Sequence, residues 1–261
     1  MRTCTRLPTL LSYSQEGGIT IVELAKGVHH FATDPFNWYV LEEAGRLTLV
    51  DAGFPGHFEV FTEGLRSIGR SIQDVEAVVL THAHADHMGF AQRVAEEANA
   101  PVFIHKHDVA AAQKIMQLPW LALLSNAWRP YMAGVLAKAA VNHVFSSSRV
   151  SNPRAFLDGA VLDVPGRPHV IHSPGHTPGE VAFFLPEKRI LISGDALVTQ
   201  DLYTGRRGNP QLTRKHLNAD YREARKSLQQ LKNLGEVEML PGHGPCWRGN
   251  ISEAVALALG A

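Results

Sequence analysis

The run Thr81-His82-Ala83-His84-Ala85-Asp86-His87 constrains this chain more than any other stretch. It follows the apolar stretch AVVL (77–80), which reads as a buried strand, and it opens the segment from Asp86 to Ala98, which reads as a helix. Three imidazoles and a carboxylate therefore fall at the C-terminal end of a strand, where α/β sheets gather their ligands. A strand-to-helix turn can fold such side chains around one point. Imidazole nitrogen with carboxylate oxygen suits zinc, iron or manganese. A solvated histidine-rich turn is the bland alternative.

Three further segments repeat the arrangement with one ligand-type residue each. Ser173-Pro174-Gly175-His176-Thr177-Pro178-Gly179 sets a histidine between two strand-like stretches. Ser193-Gly194-Asp195-Ala196 sets a carboxylate just past RILIS (189–193), and Pro241-Gly242-His243-Gly244-Pro245 sets a histidine just past VEML (237–240). Glycine in each, with proline in the first and third, permits tight turns. Taken singly, a histidine beside a strand is most often structural. Together the four segments supply five histidines and two carboxylates, enough for two metal ions sharing one bridging oxygen ligand.

The rest of the chain supports a layered α/β sandwich. ITIVEL (19–24), NWYVLEE (37–43), RLTLVD (46–51), PVFI (101–104), VIHS (170–173) and VAFFL (181–185) read as strands. Helices are expected near 58–68, 214–234 and 251–259. The chain's 261 residues suit one domain over 19–261 behind a loose leader of residues 1–18. Lysine plus arginine and aspartate plus glutamate both total 25, which excludes a strongly basic nucleic-acid binder as the default reading. No 18-residue apolar stretch offers a membrane span, and two cysteines make neither a disulfide scaffold nor a cysteine-type zinc site, so a cytoplasmic setting is expected.

The middle of the chain is unusual. Between Asp108 and Asp158 lie 49 residues without a carboxylate, while Lys114, Arg129, Lys138, Arg149 and Arg154 are cationic. Its apolar, helix-compatible stretch is broken at Pro119 and Pro130. A helical lid over an apolar substrate with a negative group is one reading of 108–158. A core helix pair, or an interface between two copies of the chain, is the other.

With these motifs assembled, the chain resembles the metallo-β-lactamase superfamily, whose pattern is an early Asp, HxHxDH, a later His, a bridging Asp and a final His. The matching positions are Asp51, His82, His84, Asp86, His87, His176, Asp195 and His243, spread from about residue 19 to 247. The resemblance implies a four-layer αββα sandwich with a helical insertion in the middle. It implies His82, His84 and His176 on one divalent ion, Asp86, His87 and His243 on a second, and Asp195 between them. Asp51 would orient the site from behind, and Asp86 would also relay a proton. Zinc is the expected metal, iron or manganese the alternatives. The implied reaction is hydrolysis of a small ester, thioester, lactone or related substrate by a hydroxide shared between the two ions.

Departures narrow the choice. True β-lactamases of this fold usually lack the bridging carboxylate, and glyoxalase II carries an additional C-terminal helical domain, whereas 18 residues follow His243 here. Acyl-homoserine lactonases carry a tyrosine three residues past the bridging Asp, where this chain has Val198; Tyr203 could substitute if its loop reaches. Persulfide dioxygenases resemble the runs HADH and SPGHTPG and hold one iron, here on His82, His176 and Asp195. That mononuclear oxidoreductase is the alternative, and a non-catalytic metal-binding scaffold a third possibility. Trp38, Tyr203 and Arg206 are candidate pocket residues, and His29, His30, His105, His107 and His172 are further histidines that could line a cleft but read better as surface or core.

Overall fold

The computed structural model describes residues 13–14, 19–114, 126–144, 146 and 149–260. Eight strands lie side by side in chain order: β1 (Tyr13–Ser14), β2 (Thr20–Ala25), β3 (Val28–Thr33), β4 (Phe36–Glu43), β5 (Arg46–Val50), β6 (Val75–Val79), β7 (Val102–His105) and β8 (Arg154–Phe156). They run antiparallel as far as β5 and parallel from β5 to β8. A five-stranded sheet faces them. It is built from β9 (His169–His172), β10 (Val181–Leu185), β11 (Ile190–Gly194), β14 (Glu236–Pro241) and β15 (Trp247–Asn250), in the order β15-β14-β11-β10-β9. A separate ribbon pairs β12 (Val198–Gln200) with β13 (Arg207–Gln211).

Both sheets are buried on both faces, which explains their near-continuous apolar strands. In β10, Val181, Phe183 and Leu185 point at Tyr39, Leu41, Val50, Val79 and Phe156 of the larger sheet. Their neighbours Ala182 and Phe184 point the other way, at α6 (Tyr221–Ser227) and α7 (Ile251–Leu259). In β4, Trp38 and Val40 likewise turn to α1 (Phe58–Ser67) and α3 (Ala91–Ala98). The layers are thus helix, sheet, sheet, helix, the expected αββα sandwich. Asp220 caps α6 by accepting from the backbone N–H groups of Arg222 and Glu223, and Asn250 caps α7 through Ser252. Phe183 is fully buried, with its ring 5.9 Å from that of Phe156 across the sheets. Phe183→Ala is expected to cost about 3–5 kcal/mol in urea unfolding, and a loss below about 1 kcal/mol would contradict this packing.

Several elements depart from expectation. The helix expected over 86–98 is split into α2 (Ala85–Met88) and α3, because Gly89 closes against the loop after β5. Its N–H donates to the Gly53 carbonyl at 2.8 Å, and a Cβ there would come within 2.3 Å of that oxygen. The expected helix over 214–234 is α6 flanked by 3-10 turns, Lys215–Leu217 before it and Leu228–Leu234 after. Strands β3, β8, β12, β13 and β15 were not anticipated. Within the expected leader, Tyr13 and Ser14 pair with Ile21 and Thr20. Among the described residues, no helix is long and apolar enough to cross a membrane.

The middle segment is helical in part, with α4 (Val109–Ala112) and α5 (Pro130–Val141), and it also supplies β8. Pro119 and the apolar run around it lie outside the described residues. Ala139 and Val144 pack on Phe36, Phe54 and Ala85, which mounts α5 beside the histidine-rich turn.

Candidate metal centre

Every sequence-singled ligand candidate lies at the end of a strand on one edge of the sandwich. His82 and His84 occupy the turn after β6, and Asp86 and His87 lie on α2. His176 is in the β9–β10 turn, Asp195 directly follows β11, and His243 follows β14. One nitrogen or oxygen from each of His82, His84 and His176 converges within 4.8 Å, and the same holds for Asp86, His87 and His243. Asp195 lies between the two triplets: its Oδ2 is 3.4 Å from His176 Nε2 and 3.3 Å from His243 Nε2, and its Oδ1 is 3.6 Å from His87 Nε2.

The far sides of these rings are tied to the scaffold. His87 Nδ1–H donates to Asp51 Oδ2 at 2.9 Å. Asp51 also accepts from the Thr81 N–H and hydroxyl, joining the ends of β5 and β6 behind the centre. Its backbone sits in the left-handed region at φ 60°, a costly conformation of the kind that clusters at functional sites. His243 Nδ1–H donates to the Pro35 carbonyl at 3.1 Å, and His176 Nδ1 is 3.3 Å from the Thr213 hydroxyl. Fixing one ring nitrogen this way leaves the other to face the centre.

The electrostatics divide the cluster in two. Burial holds His82 and His84 below the ordinary histidine value and His176 at about 3, with neighbouring imidazoles adding to it at His82 and His176 and Asp86 and Asp195 opposing it at His84. Burial also opposes charge on His87, yet Asp51, Asp195 and Asp86 together raise it to about 9. His243 is raised against its burial by Asp195 and Asp86. Both carboxylates lie well below their usual range despite burial, Asp86 through His87 and His243, Asp195 through His243 and His87. Burial thus favours the neutral imidazole in one half of the cluster, and the carboxylates favour the charged form in the other.

His87 Nε2, His243 Nε2 and Asp195 Oδ1 are buried without a hydrogen-bond partner. Buried polar atoms of this kind require an explanation. Divalent cations of borderline hardness fit it: the orphaned atoms are all of ligand type, and all belong to the converging groups.

The centre opens into a cavity of about 480 Å³. Its walls include Ala111, Pro178, Leu202, Leu217 and Ala219 beside His84, Asp86, His176, Asp195 and His243. Asp86 is the more open of the two carboxylates, its side chain 19% exposed. The three expected pocket residues line it nowhere. Trp38 is fully buried, stacked on His57 at 5.2 Å, because β4 is covered on both faces. Tyr203 is buried too and turns its hydroxyl to Nε2 of His216, which does line the cavity, while Arg206 is exposed away from it. Nor do any of the five cations of the middle segment reach the wall; Lys138, for one, is bonded to the Asp34 carbonyl. The expected complement for a negative group is therefore absent among the described residues.

The five further histidines singled out in the sequence are engaged away from the cavity wall. His29 meets Glu42, His30 stacks on Tyr39, and His105, His107 and His172 form a stack of their own. Two buried acids were missed. Asp108 accepts from Ala83 N, Thr177 Oγ1 and Gly179 N, pinning the first histidine turn to the second. Glu180 lies fully buried against His82 and Asp195. The one hint was a lone glutamate leading into the apolar VAFFL.

An αββα sandwich with this histidine–aspartate cluster at its edge defines a metallo-hydrolase class, and residues 33–243 match the model of the metallo-beta-lactamase superfamily. The chain belongs to that superfamily. Among relatives it is 29% identical to the probable metallo-hydrolase YflN of Bacillus subtilis over 243 residues, 85% of each chain. The metallo-beta-lactamase family protein TTHA1429 of Thermus thermophilus superposes with a TM-score of 0.67 at 26% identity, over 91% of this chain and 80% of that one. The BLEG-1 B3 metallo-beta-lactamase, at 23% identity and TM-score 0.59 over 84% of this chain and 90% of its own, shares the fold.

Proposed function

We propose that the chain is a binuclear metal-dependent hydrolase of a small ester, thioester or lactone. One observation carries the reading: two ligand triplets converge, and a third group of His82, His87 and Asp195 ties them together. His82, His84 and His176 would hold one divalent ion, Asp86, His87 and His243 the other, and Asp195 would bridge them; zinc suits the donor set best, with iron or manganese as substitutes. When bound, such a pair supplies Lewis acidity and lowers the pKa of a shared water from ~15.7 toward ~7.

The chain's own residues do the rest. Asp51, Pro35 and Thr213 hold His87, His243 and His176 by their outer nitrogens, so the inner ones keep their aim. Asp86 faces the cavity and is the group we assign to accept and pass on the proton of the attacking water. The Ala111, Leu202, Leu217 and Ala219 wall takes an apolar acyl or alkyl group and excludes water around the scissile bond. With no lysine or arginine among the described lining residues, uncharged substrates should outrun their carboxylate- or phosphate-bearing counterparts.

The test is metal analysis joined to a substrate panel. About two zinc ions per chain with hydrolysis of neutral esters or lactones is the expected result. One iron per chain with sulfite formed from a persulfide would establish the mononuclear alternative, and a chain that retains no metal would be a scaffold.

A further inference from the structure

The 3-10 turn Lys215–Leu217 brings to the cavity a histidine that no ligand role claims, His216. Ala219 N–H donates to the His176 carbonyl at 3.1 Å and Asp220 N–H to the Gly175 carbonyl at 2.8 Å, so this segment is docked on the turn that carries His176. Apart from the proposed ligands, the other polar side chains of the wall have spent their donors. Thr177 gives its hydroxyl proton to Asp108, and Asn218 gives its amide to the carbonyls of Thr213 and Arg214. His216 is exposed, yet its ring is held: Nε2 lies 2.8 Å from the Tyr203 hydroxyl, and the two rings meet edge to face at 5.1 Å. Tyr203 is itself fixed, being 1% exposed, with the Arg214 guanidinium over its ring and its backbone N–H on Asp201. Nδ1 of His216 has no partner among the described residues.

We propose that His216 determines specificity by donating Nδ1–H to a neutral oxygen acceptor, an ether or amide oxygen, on the acyl chain of the substrate. The inference rests on the hydrolase reading above and narrows its substrate class. The direction of the tether decides which nitrogen carries the proton. A buried phenol hydroxyl has to place its proton on an acceptor, and the partner the structure gives Tyr203 is His216 Nε2. With Nε2 accepting, the neutral ring keeps its proton on Nδ1, the free nitrogen. Leu202, Leu217 and Ala219 make the surrounding wall apolar, so a chain lying along it meets this one side-chain donor. A bare hydrocarbon chain leaves the donor to water, whereas a chain with an oxygen at the matching position engages it. Tyr203 lines no part of the cavity and acts through His216, as a positioning residue.

The experiment uses p-nitrophenyl esters whose acyl chains carry one ether oxygen at successive positions, each set against its all-methylene counterpart, on the metal-quantified full chain. For at least one position the oxygen-to-methylene ratio of kcat/KM should be about 3- to 10-fold higher in the wild type than in His216→Phe, the size of one neutral hydrogen bond, and the difference should lie chiefly in KM. Comparing ratios cancels the intrinsic reactivity of each ester. Metal content should stay at the wild-type level. Tyr203→Phe keeps the ring and removes the tether, and should lose part of the same preference. In 15N imidazole spectra of the metal-stripped wild type, the neutral His216 ring should carry its proton on Nδ1. Equal ratios in wild type and His216→Phe at every position overturn the proposal, as does a preference that Tyr203→Phe leaves whole, or a neutral ring protonated on Nε2. A preference for carboxylate-ended chains that His216→Phe abolishes would make the ring a cation and overturn it too. A wild type that hydrolyses none of these esters defeats the ester reading itself. Should His216→Phe fail to fold, His216→Ala takes the same measurements with the same outcomes.

Discussion

Asp195→Ala and His84→Ala are each expected to lower kcat/KM by more than about 100-fold, beyond the 10- to 100-fold typical of partners that only orient a ligand. The two should differ in how they lose metal. His84 belongs to a single triplet, with its Nδ1 3.0 Å from His82 Nε2 and 2.9 Å from His176 Nε2. Its removal should weaken one equivalent of zinc and spare most of the affinity for the other. Asp195 touches His176 on one side and His87 and His243 on the other, so its removal should weaken both. Neither variant should unfold the chain. Both residues sit on turns outside the three main apolar cores, and when Asp195 is lost His87 keeps Asp51 and His243 keeps Asp86 as neighbouring carboxylates. Metal content per chain, kcat/KM on a neutral ester and the far-ultraviolet spectrum decide the matter. Wild-type turnover in either variant would remove these residues from the proposed centre.

The seven side chains of the cluster were legible because each lies at the end of an apolar run, beside glycine, proline or a helix start. Within the smaller sheet β9, β11 and β14 run the same way, so the residues that follow them share one edge. The supports behind them were not legible in the same way. The acceptor for His243 is the carbonyl of Pro35, 208 positions away, and a backbone oxygen carries no sequence signature. Thr213, facing His176, is one hydroxyl among many. Trp38 misled for a physical reason: a strand buried on both faces shows no polar alternation, so its sequence does not say which neighbour turns to the helices and which to the facing sheet. The break at Gly89 was hidden because the loop that forces it lies more than thirty residues earlier in the chain.

Acid sensitivity is the second large effect expected, and it arises away from the metal centre. His105 is 1% exposed, neither ring nitrogen has a hydrogen-bond partner, and its ring stacks on His172 at 4.1 Å. Burial, then the neighbouring His172, His107 and Lys106, push it down to about 4, with Asp158 opposing. The unfolded chain takes up this proton near the ordinary value of about 6.5, so it binds more protons than the native state between those two limits. Stability from His105 is therefore complete above about pH 6.5 and is lost as the pH falls toward 4. The loss between pH 7 and 4.5 is on the order of 2–3 kcal/mol. His57, lowered to about 4 by burial against the pull of Asp86, adds a contribution of the same sign. His105→Phe removes two unsatisfied polar atoms and keeps an aromatic ring against Phe156. At pH 7 the variant should match the wild type within about 1 kcal/mol, allowing for the slightly larger ring. At pH 4.5 it should be the more stable of the two by roughly the 2–3 kcal/mol lost through His105 alone. Urea unfolding of the metal-stripped proteins at both pH values gives the comparison free of metal release, and parallel pH dependences would show that His105 is already charged, or already solvated, in the folded chain.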